Sequence, residues 1–413
     1  MGEIGGKIGF EFLKGLAIDD NIRLSTSGHT PKGRFSEQFY YVNLQGKLRS
    51  KSIFLSWNDT IIKKLINSPL NSLFDANNFG MTSNCKVDKM SIDFPEFSNI
   101  LKHNIENFIR IQAEKCHTVP EFFLVQSAFE NEGAVQALLC KEILNTFFPK
   151  ATKFEIPIFN ISKSEVSDIE SLNQLYTIQN FKANFNAVFP LEIPLITNRI
   201  KEDFFQYNSN YEYEFKAISE ILLMLTMPLR KKIEGYSNLN SISQKLIKNS
   251  SYNILSTNMY PLFNCERNGK EEEAQQMMYR AVLSTNFFER KILSSSISTE
   301  NLIISQGSIS SILQENMSDY FINMNKFKKN QVKSSIDFIV HSPSNCDKNE
   351  RKILYISNSS SIIDLLEELI HKANLSCSPL NIELASFINQ AAIIQQRKNC
   401  ISTVGSIINE YRN

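Results

Sequence analysis

The chain has 413 residues, 42% hydrophobic and 21% charged, enough to bury the cores of two or three domains. A formal net charge of +1 gives no basic excess for nucleic acid or an anionic membrane. No run approaches the ~18 apolar residues of a membrane span, and seven cysteines without a C-x-x-C pair lead us to expect a reduced cytosolic compartment and no structural metal site.

In chain order, Ser52 to Leu55 reads as a strand, Asp59 to Ile66 as a helix, and Ile100 to Ala113 as an amphipathic helix through Leu101, Ile105, Phe108 and Ile109. Phe122 to Val125 is continuously apolar and β-prone. From Ala134 to residue 148, Leu138, Leu139, Ile143, Leu144 and Phe147 recur at helical spacing, and Phe154 to Phe159 is a further strand. Such alternation predicts an α/β layer with a largely parallel sheet, in which ligands bind at the carboxyl ends of strands. Ser127 to Gly133 falls at such an end, with Glu130, Asn131 and Glu132 near a helix start where a phosphate loop would carry glycines. Past the polar, Tyr- and Asn-rich Tyr207 to Glu214, an apolar helix over 215–227 is expected to end at Pro228. A region of mixed character reaches about residue 354, and the basic run Lys326 to Lys329 reads as a solvated face. Two helices close the chain: Ser361 to Ala373, with Ile362, Leu365, Leu366 and Leu369 on one face, and one through Ile408 to Tyr411. The histidines pair with no evident nucleophile.

These segments resemble the tubulins. The opening Gly2-Glu-Ile-Gly-Gly-Lys-Ile-Gly-Phe-Glu-Phe12 is similar to the family's first phosphate loop and following helix, G-Q-C-G-N-Q-I-G-F-E-F in γ-tubulin, and Ile66-Asn-Ser-Pro69 to a γ-type N-S-P turn. Cys116 to Gly133 follows the strand leading into the signature G-G-G-T-G-S-G. Pro228-Leu-Arg230 to Tyr260-Pro-Leu262 matches γ-type spacing without a gap. Ile356 to Ile362 resembles S-N-x-T-x-I, and Ile407-Ile-Asn-Glu-Tyr411 resembles L-I-D-E-Y. The resemblance covers nearly the whole chain through order and spacing, and is closest to a highly divergent γ-tubulin. It implies an α/β tubulin-like fold: a Rossmann-type nucleotide-binding layer over 1–206, a polar stretch and central helix over 207–230, an α+β intermediate domain over 231–354, and a C-terminal helical hairpin over 355–413. It also implies that the family's first central strand, which precedes the first loop, is either missing or cropped by a wrong start, and that the acidic tail of α- and β-tubulins is absent.

Carried over position by position, the family's GTP contacts fall on altered residues. Glu3 and Lys7 stand where glutamines approach the nucleotide, and Ser56-Trp57-Asn58 replaces D-L-E, removing the carboxylates that hold magnesium through water. The signature loop reads Phe129-Glu-Asn-Glu-Gly-Ala-Val135, so Glu130, Asn131, Glu132 and Ala134 surround a single retained Gly133. The guanine-reading asparagines fall at Phe189 and Phe215, while Tyr211 keeps the stacking aromatic. The catalytic loop's G-x-x-N-x-D ends here in Asn238, which cannot serve as a carboxylate base, so no catalytic residue and no metal ligand is assigned. The resemblance implies GTP and magnesium; the altered loops predict that both are weakened or lost. Glu130 or Glu132 either replaces phosphate at its helix start or is an exposed loop carboxylate with ordinary capping value, and both readings give a pseudo-GTPase.

Three functions follow. A divergent γ-tubulin would template microtubules at an organising centre or spindle pole, with α/β-tubulin, γ-tubulin complex proteins and lateral or self contacts as partners, and neither nucleic acid nor membrane. An active tubulin-type GTPase would polymerise and hydrolyse GTP. A tubulin-derived scaffold would have no microtubule role. Pole or basal-body foci of a tagged copy would separate the first from the third.

Overall fold

A computed structural model describes residues 1–22, 35–57, 59–81, 94–162, 166–181, 185–203, 211–249, 252–263, 274–283, 287, 298–307, 335–341, 351–359, 362–375 and 390–412. The run Lys326 to Lys329 and Asn58 lie outside the described residues. The chain divides into two units, Met1–Phe185 with Leu369–Gly405, and Asn186–Glu368 with Ser406–Asn413.

The first unit opens on helix α1, Gly2–Asp19, which buries Ile8, Phe12, Leu13 and Leu16 on one face. Strands β1 (Tyr40–Val42) and β2 (Leu48–Ser50) form an antiparallel hairpin. Strand β3 (Phe54–Ser56) leads to helix α2 (Thr60–Ile66), and β4 (Phe79–Met81) pairs parallel to β3, Phe54 opposite Phe79. Rings of Phe54, Phe74 and Phe79 cluster with centroids 5.5 to 6.4 Å apart. Helix α3, Phe94–Ala113, precedes strand β5, Phe122–Ser127. Helix α4, Asn131–Phe147, and strand β6, Lys153–Phe159, follow, and β6 pairs parallel to β5 from Phe122 opposite Lys153 to Ser127 opposite Ile158. The predicted parallel α/β layer is therefore present, and α1 packs on both β3 and β5. Helix α4 starts three residues earlier than the periodicity predicts, so Asn131, Glu132 and Gly133 form its first turn. Helix α5, Asp168–Gln179, begins at a capping box in which Ser167 Oγ accepts from Glu170 N–H at 3.2 Å and Glu170 accepts from Ser167 N–H at 2.9 Å.

The second unit begins with the short strands β7 (Ala187–Val188) and β8 (Leu191–Glu192), helix α6 (Ile193–Asp203) and helix α7 (Glu212–Arg230). The expected stop at Pro228 is corrected: α7 continues through it to Arg230. A proline withholds one backbone donor. Here the buried Arg230 guanidinium folds back to donate to Leu223 O at 2.7 Å, supplying a donor to the same stretch of helix. Helix α8 is Leu239–Leu246 and strand β9 Ser256–Tyr260. Helix α9 (Ala274–Leu283) precedes strands β10 (Ser298–Gln306), β11 (Ser335–His341) and β12 (Lys352–Ser359), which form a mixed sheet in the order β11-β10-β12-β9. Strand β10 is parallel to β11 and antiparallel to β12. Met277, Met278 and Ala281 of α9 join Tyr260, Ile303 and Ile353 of the sheet in one apolar cluster. The closing helices are α10, Ile363–Leu375, and α11, Gln390–Arg412, the second much longer than its apolar ending predicts. Among the described residues no helix is long and apolar enough to cross a membrane.

Candidate functional site

In the first unit, the starts of α1 and α4 meet at the carboxyl end of β5. Met1 N donates to Val125 O at 2.9 Å. Gly2 has φ +72°, and a Cβ there would lie 2.9 Å from Glu130 Oε2 and 3.0 Å from Gly133 Cα. A Cβ on Gly133 would lie 2.6 Å from Ser127 O, so the retained loop glycine permits a backbone-to-backbone approach. The N–H groups at a helix start have no partner within the helix. At α1 they are met by side chains of α4: Gly2 N–H donates to Gln136 Oε1 at 3.1 Å and Ile4 N–H to Glu130 Oε2 at 3.3 Å. Glu132 Oε1 accepts from Trp57 N–H, in the loop after β3, and from Gln136 Nε2 at 3.3 Å.

The two carboxylates thus serve the amides of other segments. Glu130 is the N-cap residue of α4 but makes no side-chain cap bond there, so neither picture of a carboxylate serving its own helix or standing free in solvent describes it. Asn131 Oδ1 accepts from Asn173 Nδ2 at 2.7 Å, and the same amide donates to Phe129 O at 3.0 Å, which ties the loop to α5. Ala134 is buried, and its N–H donates to Glu130 O at 3.0 Å to close the first turn. Glu3 and Lys7 pair with each other at 2.6 Å on the outer face of α1.

Burial chiefly pushes the Glu130 carboxyl up to about 7; the Ile4 amide pulls the other way and the neighbouring Glu132 charge adds to the rise. Glu132 is also raised, by burial first, against the Trp57 amide and the Ser56 hydroxyl. Chemically the junction offers carboxylate acceptors where a phosphate needs donors, and the Ile4 and Trp57 amides are engaged by those carboxylates.

The remaining predicted positions belong to the second unit. Phe189 and Phe215 are buried, and the Tyr211 ring stacks on Phe215 with centroids 6.4 Å apart and planes 24° apart. Tyr211 precedes α7 in a left-handed conformation, φ +58°. Asn238 caps α8, its Oδ1 accepting from Ser241 N–H at 2.8 Å.

Sequence reasoning missed Gln136 and Asn173, the amides that hold the loop, although Gln136 stands one helical turn after Glu132. It also missed an interior ion pair: Lys141 Nζ lies 2.7 Å from Glu155 Oε1, both side chains almost wholly buried, with the ammonium 5.4 Å from the Phe185 ring centroid. Gln126 Nε2 donates to the same carboxylate. The signal was a lysine among the apolar Leu139, Cys140, Ile143 and Leu144 and a glutamate within the apolar run of strand β6.

A parallel α/β layer with helix starts converging at a strand end, followed by a mixed-sheet unit and closing helices, defines a tubulin-like α/β fold. No family model matches the chain. It is 18% identical over 270 residues to the tubulin epsilon chain of Mus musculus, an alignment covering 59% of this chain and 54% of that relative. To the tubulin alpha-4 chain of Drosophila melanogaster it is 21% identical over 257 residues, 60% of this chain and 54% of the relative. The chain spans about half the length of these curated relatives. This weak homology supports the tubulin superfamily, without singling out a γ branch.

Proposed function

We propose that this chain is a tubulin-like cytoskeletal protein that keeps the family's shape and has given up GTP. One observation carries the reading: Glu130 and Glu132 place their carboxylates on the amides of Ile4 and Trp57, the donors that converge on the former phosphate loop. Each unit of triphosphate charge at ~5 Å from an ionised carboxylate costs about 3 kcal/mol at an effective dielectric of ~20. The phenylalanines at 189 and 215 add the loss of amide contacts worth about 1 kcal/mol each to a guanine edge. Acid extraction of the purified full chain should release no stoichiometric nucleotide; GTP or GDP near one per chain sinks the proposal.

Within that reading we assign a γ-like role, organising microtubules at a spindle pole or other organising centre, with α/β-tubulin and γ-tubulin complex proteins as partners. Its support is the opening Ile8-Gly-Phe-Glu-Phe12, the Asn67-Ser-Pro69 turn and the ungapped spacing from Pro228 to Leu262. A tagged copy is expected in pole or basal-body foci, and diffuse staining through the cell cycle would count against the role.

A further inference from the structure

The β1–β2 hairpin of the first unit carries charge of a single sign. From Gln38 to Ser52 the sequence holds Lys47, Arg49 and Lys51 and no acidic residue. Tyr40, Tyr41 and Val42 stand opposite Ser50, Arg49 and Leu48. The ladder runs one pair further at each end, with Asn43 N–H donating to Lys47 O and Lys51 N–H to Phe39 O, each at 2.9 Å. Alternate residues of a strand share a face, so the three cations form one row at intervals of about 7 Å. Tyr40, Leu48 and Ser50, on the other face, are buried.

The row is anchored without being neutralised. Arg49 Nη1 donates to the carbonyl oxygens of Leu48, at 3.4 Å, and Ser72, and Lys51 Nζ donates to Glu37 O at 2.7 Å, all of them uncharged acceptors. Among the described residues no carboxylate lies at ion-pair distance from any of the three. Lys115 Nζ adds a fourth cation, 4.7 Å from the ring centre of Tyr41, the residue opposite Arg49. The acid beside it, Asp75, is already engaged: it accepts from Tyr41 Oη at 3.3 Å and from Asn77 N–H at 2.9 Å, and lies 3.8 Å from Lys115 Nζ. At the apex Asn43 Oδ1 accepts from the amides of Gln45 at 3.0 Å and Lys47 at 2.9 Å, which fixes the turn and leaves Leu44 fully exposed.

A cationic row that ends in an exposed leucine is complementary to a chain whose acidic residues follow an apolar one. Extended backbone repeats its side chains at the interval of the row, so carboxylates at alternate positions meet it in register. An anionic membrane entered apex first fits less well, because Lys51 would stand about 13 Å beyond Lys47, outside the ~8 Å over which charge acts at physiological salt. We propose that the outer face of the β1–β2 hairpin docks an extended acidic segment of a partner protein, with an apolar residue on Leu44 and alternate carboxylates along Lys47, Arg49 and Lys51.

The test uses the full chain and a fluorescein-labelled peptide of one leucine followed by three threonine–glutamate repeats, read by anisotropy. It should bind saturably, at least tenfold more tightly than the same peptide with glutamine for glutamate. A peptide of the same composition with its glutamates adjacent should bind at least threefold more weakly. Lys47→Gln and Leu44→Ser change side chains that make no bond among the described residues, and each should weaken binding at least threefold at an unchanged melting temperature. Neutralising the exposed Lys14 and Lys63 together, which removes more charge elsewhere on the unit, should leave binding unchanged. Equal binding of the glutamine or adjacent-glutamate peptide, an equal loss in the Lys14 and Lys63 variant, or no binding at millimolar peptide would each overturn the proposal. So would sedimentation with phosphatidylserine-containing vesicles that Leu44→Ser abolishes while no peptide binds, which would assign the hairpin to a membrane.

Discussion

Glu130 sits against the Gly2 backbone with its carboxyl raised to about 7, chiefly by burial. A carboxyl raised above its unfolded value binds more protons in the folded chain, so its contribution is fullest below about pH 4.5 and is lost as pH climbs through about 7. Glu132 is raised in the same direction and adds to the slope. Glu130→Gln keeps an oxygen for the Ile4 amide and removes the titration. Urea unfolding of the parent chain should therefore weaken between about pH 5 and pH 8 by up to about 3 kcal/mol, and the variant should be flatter across that window and more stable at its upper end. An unchanged slope would place the titrating group elsewhere. Lys141 and Glu155 behave differently, because their charges face each other in the interior. Lys141→Met alone leaves a buried carboxylate and should cost about 3 to 5 kcal/mol, while adding Glu155→Leu should recover most of it. A double-mutant cycle in urea measures the coupling; additive losses would show that the two groups act independently.

At the scale of elements, the junction of α1, β5 and α4 depends on backbone contact. Gly133→Ala would put a methyl 2.6 Å from Ser127 O, a strand backbone atom, and should destabilise by about 2 kcal/mol. Gly405→Ala in α11 meets open space, and should stabilise by about 0.5 to 1 kcal/mol through helix propensity. Thermal unfolding of the two variants should move in opposite directions, and a neutral Gly133→Ala would mean the junction is looser than its geometry. The same junction shows why the start of α4 was read late. Apolar periodicity begins at Ala134, whereas Asn131 and Gly133 are poor helix formers held in the first turn by Asn173 and by the approach to Ser127. Pro228 misled for a related reason, since a local rule for proline contains no information about the Arg230 side chain that lies against the same helix. The β5 and β6 strands were legible because each is a short apolar run, and β6 is buried along its whole length, the pattern a parallel sheet imposes.

For the whole molecule, the alternation of strands and helices was enough to place the parallel layer, and the order of segments was enough to suggest the tubulin-like fold that the weak homology supports. The site was legible only as composition. That two glutamates replace glycines is visible in the chain, but Glu130 reaches an amide 126 residues away and Glu132 one 75 residues away, pairings that no local pattern encodes. On the proposed loss of GTP, those long-range bonds hold two amides at the former phosphate position, which gives the global prediction. A ligand at 100 times its Kd stabilises the folded state by about 2.7 kcal/mol, and across a domain of this size that moves the melting temperature by several degrees. On that proposal, millimolar GTP with magnesium should move it by less than about 1 °C, and chelating magnesium should do no more, because Glu130 and Glu132 hold the Ile4 and Trp57 amides in the folded state. A dose-dependent rise of several degrees with GTP, absent with ATP, would mean that the carboxylates give way to a nucleotide.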